Sequence, residues 1–323
     1  SEEVGKMKEN KRTLLTKDTL RTYLSLVALV IVVILFAVLS GGRTLKWNNL
    51  KQIILQACTY TIAGLGILFT MSLGNMDMSL DGIVCVAGAL GLWAAEATQS
   101  WVMFPMIMLI CIACEMFIGG INILLGINSV IVSFAVSFLG KGITGYLMNK
   151  RTKGLSLPSE FSFLYNRTLF YIITLVCIVV IAVLFHYTKL GKRAMAIGSN
   201  ADAAKASGIN VTKYKLLAYL MAGIMMGLAV LLTVLRAGSA GATSGSGFHV
   251  KVLLMMVIGG ASLTGGTKEK VLSVVVGVLL FLCLENGLTV MGVDPNMTGL
   301  IEGIIFLVSV TLTFDRDGVP YIL

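Results

Sequence analysis

Few side chains in this 323-residue chain could do chemistry, and nearly all of them stand in or beside apolar runs. Asn75, Asp77, Ser79 and Asp81 fall at two-residue spacing in the polar stretch 74–82. Glu115 and Asn122 lie seven residues apart in a second apolar run, and Asn286 and Glu302 lie in two others. A lone carboxylate near mid-membrane costs about 2.5–3.5 kcal/mol on insertion scales, so it must face a partner or water. Asp77 and Ser79 read either as the turn and cap of a helix start or as the polar lining of a pathway. Glu115 reads either as a pathway residue or as a packed acid. Short polar side chains in apolar helices can hydrogen-bond a hydroxylated solute, which makes Asn75, Asp77, Ser79, Asn122 and Asn286 the candidates for a translocation pathway. Used instead as proton or sodium sites, Asp77, Glu115 or Glu302 would serve an ion-coupled secondary transporter.

Other chemistries find little support. Cys111 and Cys114 form a CxxC, but within an apolar run and with no second pair or nearby histidine, so neither metal nor redox use follows. All six cysteines lie in apolar segments, and no disulfide framework is expected. His186 and His249 are far apart, and no metal site is legible. The stretch 259–267, GGASLTGGT, imitates a phosphate-binding loop, but Gly266 stands where the lysine must be. No paired catalytic acids and no nucleophile–base set are visible, so the chain is not expected to be an enzyme or to hold a cofactor.

Composition explains what positions these residues. With 57% hydrophobic and 13% charged residues, the chain has too little polar surface for a soluble globule of this length. At roughly 20 residues per spanning helix, it holds about ten spans, an all-α polytopic transmembrane bundle. Residues 1–22 form a basic tail read as cytoplasmic, 23–314 the membrane domain, and 315–323 a second cytoplasmic tail. The net charge of +9 sits in loops and tails without interleaved aromatics, which fits orientation and anionic lipid rather than nucleic acid. The apolar piece 83–95 is short for a crossing, so the turn before it is expected to sit partly within the membrane. Lys141 is expected to snorkel. Residues 149–167 fall outside by helix counting despite their basic residues. Gly223 and Gly227, like Gly299 and Gly303, have the spacing that brings helices close.

The longest polar island is 188–215, between two apolar runs. Its six basic residues face one acid, Asp202, which puts a short loop on the cytoplasmic side. Within it, residues 201–206 are strong helix formers, with Asn200 placed as N-cap and Gly208 as the stop. In Thr188, Gly191, Ala196, Gly198, Asn200, Ala203, Ala204, Ser207, Gly208 and Ile209 this loop resembles that of the membrane subunits of ATP-binding-cassette importers for ribose and other simple sugars. The resemblance extends to Gly259, Gly260, Ser262, Leu263, Gly265 and Gly266, and to Gly74, Asp77 and Ser79. It departs at Asn75, Met78, Asp81 and Glu115, and at His249 and Lys251, which stand where the family is acidic.

The resemblance implies a permease subunit of an importer, forming the pathway for ribose or a related monosaccharide. Its partners would be a second permease subunit, cytosolic ATP-binding subunits and an extracytoplasmic solute-binding protein, all at a bacterial cytoplasmic membrane. Gly191, Gly198, Asn200, Ala203, Ala204, Ser207 and Gly208 would then couple to the ATPase. The same architecture carrying nucleosides or autoinducer-type furanoses is an open alternative.

Overall fold

The computed structural model describes residues 24–313, apart from 99, 150, 152, 153, 263, 264 and 267–269. Both tails therefore lie outside the described residues. The chain is helical almost throughout: α1 Leu24–Leu39, α2 Trp47–Ser72, α3 Leu80–Thr98, α4 Met103–Leu125, α5 Ser129–Asn149, α6 Arg167–Tyr187, α7 Lys189–Ser199, α8 Ala201–Ala206, α9 Val211–Ala237, α10 Phe248–Ile258, α11 Val271–Val290 and α12 Pro295–Thr313. Seven of these, α2 to α6, α9 and α11, are long and apolar enough to cross a membrane; α1, α10 and α12 have shorter apolar stretches. This is a multi-pass helical bundle.

Two compact units divide the chain. One comprises Leu55–Leu253 with Leu263–Val271, the other Ser1–Ile54, Leu254–Ser262 and Leu272–Leu323. In the first, α4 packs along α9 and α3 packs on both α4 and α5. Small residues make these approaches possible, because apolar lipid gives helices no hydrophobic reason to associate and close van der Waals contact must do it. A Cβ at Gly223 would fall 2.7 Å from Ile112 Cα, and one at Gly140 would fall 2.5 Å from the Gly82 carbonyl oxygen. Gly299 and Gly303 share the spacing of Gly223 and Gly227, yet meet no described atom within 4 Å.

Helix α3 is longer than expected from 83–95. Asp77 Oδ1 accepts from the Ser79 amide at 2.7 Å, and the Ile83 amide donates to the Ser79 carbonyl at 3.0 Å. The turn thus nucleates the helix at Leu80, and nineteen residues follow.

Helix α9, 27 residues and about 40 Å long, separates two polar ends. At one end lie α7 and α8. At the other, β2 (Ser239–Ala240) pairs antiparallel with β1 (Leu155–Ser156). The basic stretch around β1 therefore belongs to the opposite end of α9 from the 188–215 segment. Its Arg151 is paired at 2.7 Å with Glu96, which explains one cation there.

In the second unit, Phe36 of α1 packs on Leu284 and Leu288 of α11, with Ile301 and Ile305 of α12 against them. Gly287 makes room: a Cβ there would lie 2.3 Å from the Phe36 ring.

Candidate functional site

The polar break between α2 and α3 is built from residues that water would otherwise have to satisfy. Residues 73–79 leave the helical hydrogen-bond ladder, and a backbone without ladder partners at membrane depth must be held by protein. Each neighbouring helix supplies a contact. The Met78 amide donates to Ser133 Oγ of α5 at 3.0 Å. Asn75 Nδ2 donates to the Tyr219 hydroxyl of α9 at 3.1 Å and lies 3.5 Å from Asn122 Oδ1 of α4. Tyr219 in turn shares a 2.8 Å hydrogen bond with Ser129. Tyr219 is fully buried, and Gly119 leaves the gap its ring fills, since a Cβ there would be 2.5 Å from the ring.

Below this lies an acid pair. Asp77 and Glu115 are buried to 0% and 1% exposure and lie close enough to interact electrostatically. Asp77 Oδ2 and Glu115 Oε2 have no hydrogen-bond partner among the described residues. Among the described residues no group of three His, Cys, Asp or Glu side chains could hold a metal ion.

Four of the five pathway candidates thus stand in one neighbourhood: Asn75, Asp77 and Ser79 on the break and Asn122 beside it. Asn286 belongs to the other unit, where its amide exchanges hydrogen bonds of 2.6 and 2.9 Å with Asn49. Sequence reasoning missed Tyr219, Ser129 and Ser133. Tyr219 could have been found, because its polar tip in an apolar helix demands a partner.

The 188–215 segment holds two helices where one was expected. Thr188 Oγ1 caps α7 by accepting from the Leu190 amide at 3.2 Å. Gly191, Ala194 and Ile197 recur every three residues and form its buried face. Helix α8 is as the sequence indicates. Asn200 Oδ1 accepts from the Ala203 amide at 2.9 Å, and Gly208 ends the turn at φ +79°. Ala204 is buried; Asn200, Ala203, Ser207 and Gly208 are exposed, and a groove of about 500 Å³ runs past Ala201, Lys205, Gly208 and Asn210.

The end of α7 rests on the end of α2. A Cβ at Gly198 would lie 1.8 Å from the Ser72 carbonyl oxygen and 3.0 Å from the Gly266 nitrogen. That oxygen also accepts from the Gly266 amide at 3.0 Å, and Gly265 packs its backbone on Gly74. Three segments converge where the break begins. At the other end of α7, a Cβ at Gly191 would strike the Phe185 carbonyl oxygen at 1.9 Å.

A family profile described as the permease component of branched-chain amino acid transport systems matches residues 49–310. The chain belongs to that family. The permease is 26% identical over 321 residues to the ribose import permease of Escherichia coli strain K12, covering 93% of this chain and 95% of the relative. It is 29% identical over 298 residues to that of Bacillus subtilis strain 168, covering 90% and 92%. Against the L-arabinose transport system permease of E. coli K12 the identity is 25% over 273 residues, covering 83% and 82%. No solved structure matches it. The family is one of transport permeases, not enzymes.

Replacing Tyr219 by Phe removes the hydroxyl that Asn75 and Ser129 share. Interhelical hydrogen bonds in membranes are worth about 0.6–2 kcal/mol, so the Tyr219→Phe permease is expected to unfold a few degrees earlier in detergent. An unchanged melting temperature would mean that the hydroxyl does not hold the break.

Proposed function

We propose that this chain is the membrane-spanning subunit of an ATP-driven importer for a monosaccharide, ribose or a related sugar. It would work in a pair of permease subunits with two cytosolic ATPases and an extracytoplasmic solute-binding protein, in a bacterial cytoplasmic membrane, with some ten crossings and both termini inside. The observation that carries this reading is the seating of Gly198 on Ser72. It gives the exposed α8 and its groove a rigid connection, through α7, to the start of the polar break. Small exposed residues on a short helix suit insertion into a partner's cleft.

In this mechanism the ATPase pair closes on ATP and displaces α7 and α8 together. Gly198 passes the displacement to the end of α2, so the segment carrying Asn75 and Asp77 shifts against Asn122 and Tyr219. Such coupling requires that the loop bind the two ATPase states with different free energy. The names of the ribose and arabinose permeases support the substrate class, and the short amides and hydroxyls of the break suit polyhydroxylated solutes.

The test is uptake of radiolabelled ribose into proteoliposomes holding the complete complex. ATP-dependent uptake, competed by arabinose or galactose, is the expected result. Uptake competed only by nucleosides would move the substrate class. Uptake driven by an ion gradient without ATP would overturn the reading and assign the transport work to the Asp77–Glu115 pair.

A further inference from the structure

The start of a helix leaves its first backbone amides without intrahelical partners, so acceptors must come from elsewhere. Helix α10 takes several of them from the protein. The Phe248 amide donates to the Gly245 carbonyl and the Lys251 amide to the Gly247 carbonyl, both at 3.0 Å. Two more amides at this end, those of Gly247 and His249, are taken by a side chain from elsewhere in the fold. Asp81, in the first turn of α3, accepts from the His249 amide at 2.8 Å through Oδ1 and from the Gly247 amide at 3.2 Å through Oδ2.

The carboxylate is nearly inaccessible, with 2% of its side chain exposed. Its charge is matched by Lys141 of α5, whose Nζ donates to Oδ2 at 2.9 Å; the expected snorkelling of this lysine gives way to an ion pair. The His249 ring completes the cluster. Its Nδ1 lies 2.7 Å from Asp81 Oδ1, and its edge rests on Phe134 of α5, with ring centres 6.2 Å apart. Backbones close up around the acid: a Cβ at Gly245 would lie 2.1 Å from the Asp81 carbonyl oxygen. Nearby, Cys85 Sγ donates to the Ala242 carbonyl at 3.3 Å.

We propose that Asp81 is a positioning residue that caps α10 from across the bundle, with Lys141 as its counter-ion, and so fixes the segment 241–249 on α3 and α5. Two parts of this differ in kind. The cap needs an acceptor oxygen on α3, whereas the ion pair needs only opposite charges. Removing the carboxylate strands two amides and a lysine; removing Lys141 leaves the cap in place. The consequence for transport rests on the function proposed above, but the seating of 241–249 does not.

The test reads that seating directly. In the full-length chain Ala242→Cys puts a second thiol on the residue whose carbonyl Cys85 touches, and copper phenanthroline oxidation in native membranes links the pair, scored by mass spectrometry of the joined peptides. With Asp81 in place linkage is expected to be fast. In Asp81→Ala it is expected to slow at least about tenfold, in line with the loss of a capping acceptor. Lys141→Met keeps both oxygens and should link within about threefold of the parent, whereas Asp81→Asn keeps one acceptor of two and should fall between the parent and Asp81→Ala. The exchange pair, Asp81→Lys with Lys141→Asp, restores opposite charges but no acceptor, and should be as slow as Asp81→Ala. The proposal is overturned if the exchange pair recovers fast linkage, if Lys141→Met is as slow as Asp81→Ala, or if the parent links no faster than Asp81→Ala.

Discussion

Replacing Gly198 by Val abolishes transport while the chain still folds and reaches the membrane. The seat of Gly198 on α2 is backbone against backbone, with the position of a Cβ only 1.8 Å from the Ser72 carbonyl oxygen. No rotamer relieves that contact, because the obstruction is the first side-chain atom. Overpacking of this kind costs about 1–3 kcal/mol, and here it falls between a short surface helix and the end of a spanning one. The cheapest relief is for α7 to lift off, which leaves the core of the unit intact and cuts the connection from α8 to the break. Uptake in the reconstituted complex should therefore fall at least about tenfold, the equivalent of 1.4 kcal/mol, with little change in thermal stability. Ala203→Arg makes the contrasting case. Ala203 is exposed, so a large side chain there disturbs nothing within this chain and should instead prevent the ATPase from co-purifying. A Gly198→Val complex that transports at the native rate would show that the seat transmits nothing.

The second large effect concerns Glu115. Its carboxyl is buried beside that of Asp77, and neither Asp77 Oδ2 nor Glu115 Oε2 has a hydrogen-bond partner among the described residues. Glu115→Ala empties a packed site, and a large-to-small change in such an interior costs about 2–5 kcal/mol. Glu115→Gln instead keeps the volume and brings an amide donor beside Asp77. The alanine variant should lose transport and melt well below the parent, while the glutamine variant keeps both. Thermal melting of the purified chain together with uptake decides it. Equal behaviour of the two variants would mean that the Glu115 side chain does not support Asp77.

Much of this was legible before any coordinates. The apolar runs are long and uninterrupted, so a multi-pass helical bundle follows from hydropathy, although about ten spans were expected and seven of the described helices reach crossing length; Asn200 and Gly208 announce α8 because a cap and a left-handed stop leave local signatures. Helix α7 was hidden by its own basic residues, Lys189, Lys192 and Arg193, which read as orientation charge. Arg193 in fact donates to the Tyr214 hydroxyl and lies over its ring, with 4.8 Å to the centroid. The three-residue recurrence of Gly191, Ala194 and Ile197 was there to be read.

Partnerships across long separations were not legible. Nothing near Lys141 in sequence points to Asp81, sixty residues earlier. Likewise nothing local to Asn286 points to Asn49, 237 residues away, and that pair satisfies the polar group that had made Asn286 a pathway candidate. Asp81 and His249 had stood out as departures from the family pattern. In the fold they are each other's partners. A charge absent from one place and present in another is thus one arrangement, which a one-dimensional comparison reads as two anomalies.

The most direct test of the central claim is native mass spectrometry of the complex extracted gently from its own membrane. Two copies of this chain, or one with a second permease, bound to two ATPase subunits is the predicted composition. A lone chain or a homo-oligomer, reproducibly free of any ATPase across mild detergents, would contradict it.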